Sequence, residues 1–280
     1  PTSKLLGFTA KALFIITCNN MFGVLANNQF ILILVSGIFT ALAVSFLGAF
    51  IIVKRMALVG DVLSHVALPG IGLALTFGYD PLYGAAAFLL AAALGTWWAE
   101  RKTSVPPEAI IGAFFTASLA LGVILVPSEA LFESLFGNIF AIGYREAVII
   151  ITASILIFIL TFILSRRLTL GIIAPDLAKS IKQRPDLSYL GFLLLFALSV
   201  ALGIKLIGSV LMGALTILPA VSARNFSWSL KSFLSFSVII GVIMTAIGIL
   251  ISNIFNFPPG PTVILTGIFF FGASLLFKRN

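Results

Sequence analysis

The sequence predicts an all-α polytopic membrane protein of about eight to ten transmembrane helices. Three observations predict it. The chain of 280 residues is 60% hydrophobic and only 9% charged, where a soluble domain of this length carries about a quarter charged residues. Its mean hydropathy is +1.20, and apolar stretches long enough to cross a hydrocarbon core of about 30 Å recur throughout. As helices, these stretches satisfy their own backbone hydrogen bonds in lipid. Alternation at period 2 is not sustained, which argues against a membrane β-barrel.

Residues 1–27 come first. They are apolar from Ala10 to Ala26 but broken by Asn19 and Asn20, and are read as an N-terminal helix or an interfacial segment rather than a cleaved signal peptide. Nine clear spans follow, at 29–53, 57–78, 81–98, 109–126, 146–165, 188–206, 208–223, 232–251 and 262–277. The first closes on Lys54-Arg55, the third before Arg101-Lys102, the fifth on Arg166-Arg167 and the last on Lys278-Arg279. The span at 208–223 is short enough to be a partial helix, which makes the count nine or ten.

If the nine alternate, thirteen of the seventeen Lys and Arg residues fall on one side, with only Arg145 and Lys205 opposite. Lys4 and Lys11 join the majority if 10–26 also spans. The positive-inside rule then makes the C-terminus cytoplasmic. Asp80, Glu129, Glu133 and Glu146 fall on the outer face. Two cytoplasmic segments stand out, 171–187 "GIIAPDLAKSIKQRPDL" and 219–231 "PAVSARNFSWSLK". No polar stretch approaches the length of a soluble domain, so residues 1–280 form a single transmembrane domain.

Several function classes drop out. The net charge of +8 is explained by cytoplasmic loops, and no nucleic-acid partner is called for. Cys18 is the sole cysteine, which excludes an intramolecular disulfide and a cysteine metal cluster. There is no Gly-Lys dipeptide and hence no P-loop. One histidine, His65, cannot supply H-E-x-x-H. An enzyme is the weaker class.

The chemistry concentrates in "VGDVLSHVALPG", residues 59–70. Asp61 and His65 stand four residues apart, which puts both on one helix face. A carboxylate inside hydrocarbon is costly unless paired and usually faces a cavity or a partner. Carboxylate and imidazole suit Zn²⁺, Mn²⁺ or Fe²⁺, and Ser64 beside them, able to accept or donate a hydrogen bond, is a further candidate for the site. Two readings stay open on residues alone: half of an ion site, or an ion-free pair tying two helices together. Pro69, Gly70 and Gly72 follow and loosen the helix. A weak echo links "GDVLSHVALPG" at 60–70 with "GSVLMGALTILPA" at 208–220, of the kind transporters show as inverted repeats.

"KRMALVGDVLSHVALPG" resembles the signature R-R-M-S-L-I-G-D-A-L-S-H-A-V-L-P-G of metal-type ABC importer permeases, the ABC-3 family for zinc, manganese and iron(II). The resemblance continues in order through "IIGAFFTASLALGVIL" (110–125), "LFGNIF" (135–140), "GSVLMGALTILPAVSAR" (208–224) and "FPPGPTVILTGIFFFGASLLF" (257–277). It departs at Asn138, where Asp is common, and in "LAKSIKQRPD", which lacks the family's glycine.

The resemblance implies a fold like that of the larger vitamin B12 and siderophore permeases. It implies a homodimer in the bacterial or archaeal cytoplasmic membrane, surrounded by lipid and served by a cytoplasmic ATP-binding subunit dimer and an extracytoplasmic metal-binding protein. The bound species would be the transported divalent ion, zinc or manganese, not a resident cofactor. Asp61 and His65 carry over as its ligands, with Glu129 and Glu133 near its entry. Residues 219–231, with Pro219, Ser222, Arg224, Asn225 and Trp228, become the expected ATPase contact, and 171–187 a second one. The competing class is a stand-alone secondary transporter or channel using the Asp–His pair as a proton relay.

Overall fold

The computed structural model describes residues 28–276 apart from 104, 128–134, 136, 138–141 and 181–184. Every regular element among these residues is a helix. They are α1 (Asn28–Val53), α2 (Ala57–Thr76), α3 (Pro81–Lys102), α4 (Pro107–Leu125) and α5 (Tyr144–Ile173). After them come α6 (Pro175–Ser180), α7 (Pro185–Ile207), α8 (Ser209–Phe226), α9 (Leu230–Phe255) and α10 (Pro259–Leu276). The expected N-terminal segment, together with Glu129 and Glu133, lies outside the described residues.

All nine expected spans are helices, and seven are long and apolar enough to cross a membrane. The other two are α4, whose apolar part is only Ala109–Leu125, and α8, which carries Arg224 and Asn225 in its last turn. Helix ends depart from the expected spans. α5 runs on to Ile173 with Arg166 and Arg167 still helical, because hydropathy marks where lipid stops and not where the backbone ladder does. Similarly, α8 continues through Pro219 to Phe226, leaving only Ser227–Ser229 as a link. A proline there removes one donor, that for the Leu215 carbonyl four residues earlier, and packed membrane helices tolerate this.

Connections are short and locally encoded. Lys54–Met56 turns α1 into α2, with Arg55 in the left-handed region at φ 62° and Met56 N–H donating to Ile51 O at 3.0 Å. Asp80 caps α3 by accepting from Leu82 N–H at 2.8 Å, with Pro81 at the first helical position, where its missing donor costs nothing. Gly208 alone separates α7 from α8 at φ 91°, a conformation that glycine adopts without a Cβ penalty.

Packing relies on small residues, as expected where lipid supplies no hydrophobic force between helices. α2 packs on α3, α4 and α8, and α1 packs on α5, α8 and α9. At the α2–α3 crossing the backbones touch: a Cβ on Gly70 would run into the Gly84 carbonyl, and one on Gly84 into that of Gly70. Phe50, Leu63, Leu89 and Phe196 fill the core. Phe162, Ile163, Leu265 and Phe269 point outward, as lipid-facing residues do.

The two ends of the bundle differ. At one, Lys205 at the end of α7 donates to Glu146 at 2.9 Å and to Asp80 at 3.4 Å, tying α7 to α5 and to the α2–α3 turn. At the other, Arg101 pairs with Asp186, and Arg101 stacks over Trp97 at 4.6 Å. The Lys205 cluster is partly exposed, so screening limits its value to about 1 kcal/mol. Lys205→Gln is expected to lower the melting temperature of the purified protein slightly at low salt. That difference shrinks in high salt, since added ions already weaken the native cluster.

Candidate functional site

Asp61 and His65 sit in the first half of α2. The helix brings them onto one face, as their spacing requires, and that face is open: Asp61 is exposed and His65 half-buried. Ser64 is different. It is fully buried and donates to the Asp61 main-chain carbonyl at 2.6 Å, so it packs into the bundle beside the pair.

Two neighbours hold the pair in place. Gly213 of α8 lies directly against Asp61, where an added Cβ would come within 2.6 Å of both Asp61 Cα and Oδ1. Phe115 of α4 sets its ring edge-to-face with His65 at a centroid distance of 5.4 Å. On the next turn Thr216 packs on Gly60, 3.2 Å from where a Cβ would be. The two echo segments at 60–70 and 208–220 therefore lie side by side. Neither Phe115 nor Gly213 is marked as functional by the sequence, since their role is contact and not chemistry.

Polar capacity around the pair is left unused. Among the described residues His65 Nδ1 is buried without a hydrogen-bond partner, which is costly for a group that donates or accepts strongly. Pro69 continues the helix but offers no N–H to the His65 carbonyl four residues before it. No group of three or more His, Cys, Asp or Glu side chains converges among the described residues. One chain thus presents two adjacent side chains of metal-ligand type, Asp61 exposed and His65 half-buried. That is half of what a four-coordinate transition metal takes.

The uncovered surface continues from the pair along α4. Ala113, Thr116, Ala117, Ala120 and Leu121 are exposed in helical register, and Val123 and Ile124 are among the most exposed apolar residues of the chain. Of the segment expected to contact an ATPase, Pro219 and Ser222 are buried in the bundle while Arg224 and Trp228 are exposed. Asn225 donates to Ser274 Oγ at 2.8 Å, fastening the end of α8 to α10. Trp228 stands edge-on to Phe236 of α9 at 5.9 Å.

Residues 27–278 match the model of the ABC 3 transport family. The chain belongs to that family. It is 29% identical over 248 residues to the manganese transport system membrane protein MntC of Listeria innocua, covering 87% of this chain and 89% of that one. It is 30% identical over 259 residues to the high-affinity zinc uptake system membrane protein ZnuB of Haemophilus influenzae, covering 88% and 96%. Among solved structures, PsaBC from Streptococcus pneumoniae in complex with Fab contains a chain that superposes with a TM-score of 0.82 at 29% identity, covering 92% of this chain and 95% of that one. The chain is an ABC-type membrane permease by family, and its fold is theirs.

Proposed function

We propose that this chain is the permease subunit of an ABC importer that carries a divalent transition-metal ion, manganese or zinc, across the cytoplasmic membrane with its C-terminus inside. The observation that carries the reading is the Asp61–His65 pair: two borderline-to-hard ligands on one helix face, Asp61 exposed and His65 half-buried, with the set incomplete. A second copy seated against the exposed face of α4 would bring a second Asp61 and His65 to the same place. Two carboxylates and two imidazoles then make a four-ligand set across a two-fold axis. The names of the manganese and zinc relatives support the same ion class.

The ATPase is a separate subunit dimer in this reading, docked at the basic end on Arg224, Asn225 and Trp228, with 171–187 as a flanking contact. An extracytoplasmic metal-binding protein delivers the ion near Glu129 and Glu133. α8 connects the two events. It packs on Asp61 through Gly213 near its start and ends at the docking segment, about 20 Å away at 1.5 Å per residue. A push on Ser227–Ser229 then moves the wall behind Asp61. Pro219 and Ser222 serve inside that helix rather than at the contact.

ATP-dependent uptake in proteoliposomes tests the assignment. The chain is reconstituted with its ATPase and binding protein and offered Mn²⁺ and Zn²⁺ separately. Uptake of one ion that requires ATP is the expected result. Uptake without ATP that collapses with a proton gradient would return the stand-alone transporter to first place. Trp228→Ala, which removes an exposed ring from the docking segment, is expected to reduce ATPase copurification about tenfold, as loss of an aromatic interface anchor does. Folding of the permease, read by size-exclusion chromatography, is expected to persist.

A further inference from the structure

At the basic end of the bundle, with no residue of α2 in its lining, a cavity of about 250 Å³ opens between α1, α3, α5 and α7. Its inner wall is apolar, with Phe50, Leu168 and Phe192 all buried. Its rim carries Lys54, Glu100 and Arg167. Asp186 also faces it but is already paired with Arg101, and among the described residues Lys54, Arg167 and Glu100 form no contact ion pair, although Glu100 acts on Lys54 electrostatically.

The carboxylate is the odd member. Glu100 Oε2 is buried and has no hydrogen-bond partner among the described residues; the Tyr189 hydroxyl is within hydrogen-bonding reach of the same carboxylate, so one of its two oxygens still lacks a donor. The Lys54 ammonium lies 3.1 Å above the Tyr189 ring. Burial pulls it down to about 8, against the opposing pull of the Glu100 carboxylate. It is thus a poorly hydrated cation held by a ring face. Beside Arg167, the outer surface of α5 presents Phe162 and Ile163 to lipid, so the cavity mouth adjoins the acyl region. Trp97 and Trp98 at the end of α3 mark the depth at which headgroups lie.

We propose that this cavity binds the headgroup of an ethanolamine phospholipid, with its phosphate on Lys54 and Arg167 and its ammonium on Glu100. The charges are complementary: the phosphate meets the two cations Lys54 and Arg167, and the ammonium a few bonds away meets the Glu100 carboxylate. An ethanolamine ammonium has three N–H donors for Glu100 Oε2, whereas a choline headgroup has none. A glycerol headgroup offers a hydroxyl but leaves the carboxylate charge uncompensated. The acyl chains follow the apolar wall outward along α5.

The purified full-length permease is delipidated in detergent and offered dioleoyl lipids with ethanolamine, choline or glycerol headgroups. Retained lipid is read by native mass spectrometry. The ethanolamine lipid is expected to be retained about tenfold over the choline lipid, the value of one charge-assisted hydrogen bond. Glu100→Gln is expected to remove that preference while the protein still binds phospholipid. Lys54→Met with Arg167→Met is expected to weaken retention of all three lipids. Melting curves verify that each variant is folded, and Arg167→Met alone, at an exposed position, serves if the double variant is not. Equal retention of ethanolamine and choline lipids by the unaltered protein would overturn the proposal. So would a preference that survives Glu100→Gln. Soluble phosphoethanolamine displacing the lipid at equal concentration would overturn the assignment to a membrane lipid in favour of a small cytoplasmic phosphate ester.

Discussion

Asp61→Asn and His65→Ala are each expected to reduce ATP-driven metal uptake by about a hundredfold or more while the protein still folds and copurifies with its ATPase. The magnitude follows from ligand chemistry. Changing residues that merely orient a ligand costs 10- to 100-fold in metal sites, and here the ligand itself is lost twice, once in each copy. Folding survives because Asp61 is exposed and His65 half-buried, and no described ion pair or side-chain hydrogen bond depends on either. Asn keeps the shape of Asp and removes only its charge, so a loss in that variant isolates the carboxylate. Measuring initial uptake rates at matched protein density checks the prediction. Unchanged rates would reduce the pair to a tie between helices.

The second large effect comes from a residue with no chemistry of its own. Gly213→Val is expected to abolish uptake with Asp61 and His65 both intact, and to lower the melting temperature. A Cβ at Gly213 meets Asp61 Cα at 2.6 Å and Asp61 Cβ at 2.7 Å, and main-chain atoms cannot swing aside. Overpacking of this kind costs about 1–3 kcal/mol for small additions and more for a branched one. α8 has to move off α2, which displaces the wall behind the carboxylate. Gly272→Ala is the matched comparison, since a Cβ there meets nothing within 4 Å. That variant is expected to hold or gain stability from helix propensity, by up to about 1 kcal/mol. A melting curve and an uptake assay on the pair separate a local effect at Asp61 from a general intolerance of substitution.

Fold class was legible in the sequence because hydropathy in a membrane is a one-dimensional signal: the nine clear apolar runs are the nine long helices among the described residues. Helix ends were less legible. Arg166 and Arg167 look like a loop and are a helical turn of α5, because long cationic side chains reach water from within a helix. Pro219 looked like an exit from the membrane and lies inside α8. A proline's missing bond is affordable wherever neighbouring helices enclose it.

The candidate site was half legible. Asp61 and His65 announced themselves by charge in an apolar run, and their spacing predicted the shared face. Ser64 was grouped with them by adjacency, yet one residue along a helix is a 100° rotation, and it points into the core. Gly213 and Phe115 could not be read at all, because glycine and phenylalanine are everywhere in this chain and only the fold says which of them touch the pair. Glu100 was equally silent. In "WWAERK" it reads as one more solvated charge, and only the packing of α1, α5 and α7 around it encloses its oxygen.

The central claim is that one ion is held between two copies of Asp61 and His65, and metal content per chain measures it most directly. The purified permease, loaded with Mn²⁺ or Zn²⁺ and freed of excess ion, is predicted to retain about one ion for every two chains. That ion should disappear in Asp61→Asn and in His65→Ala. One ion per chain, or a bound ion that persists in both variants, would place the site elsewhere and contradict the shared four-ligand set.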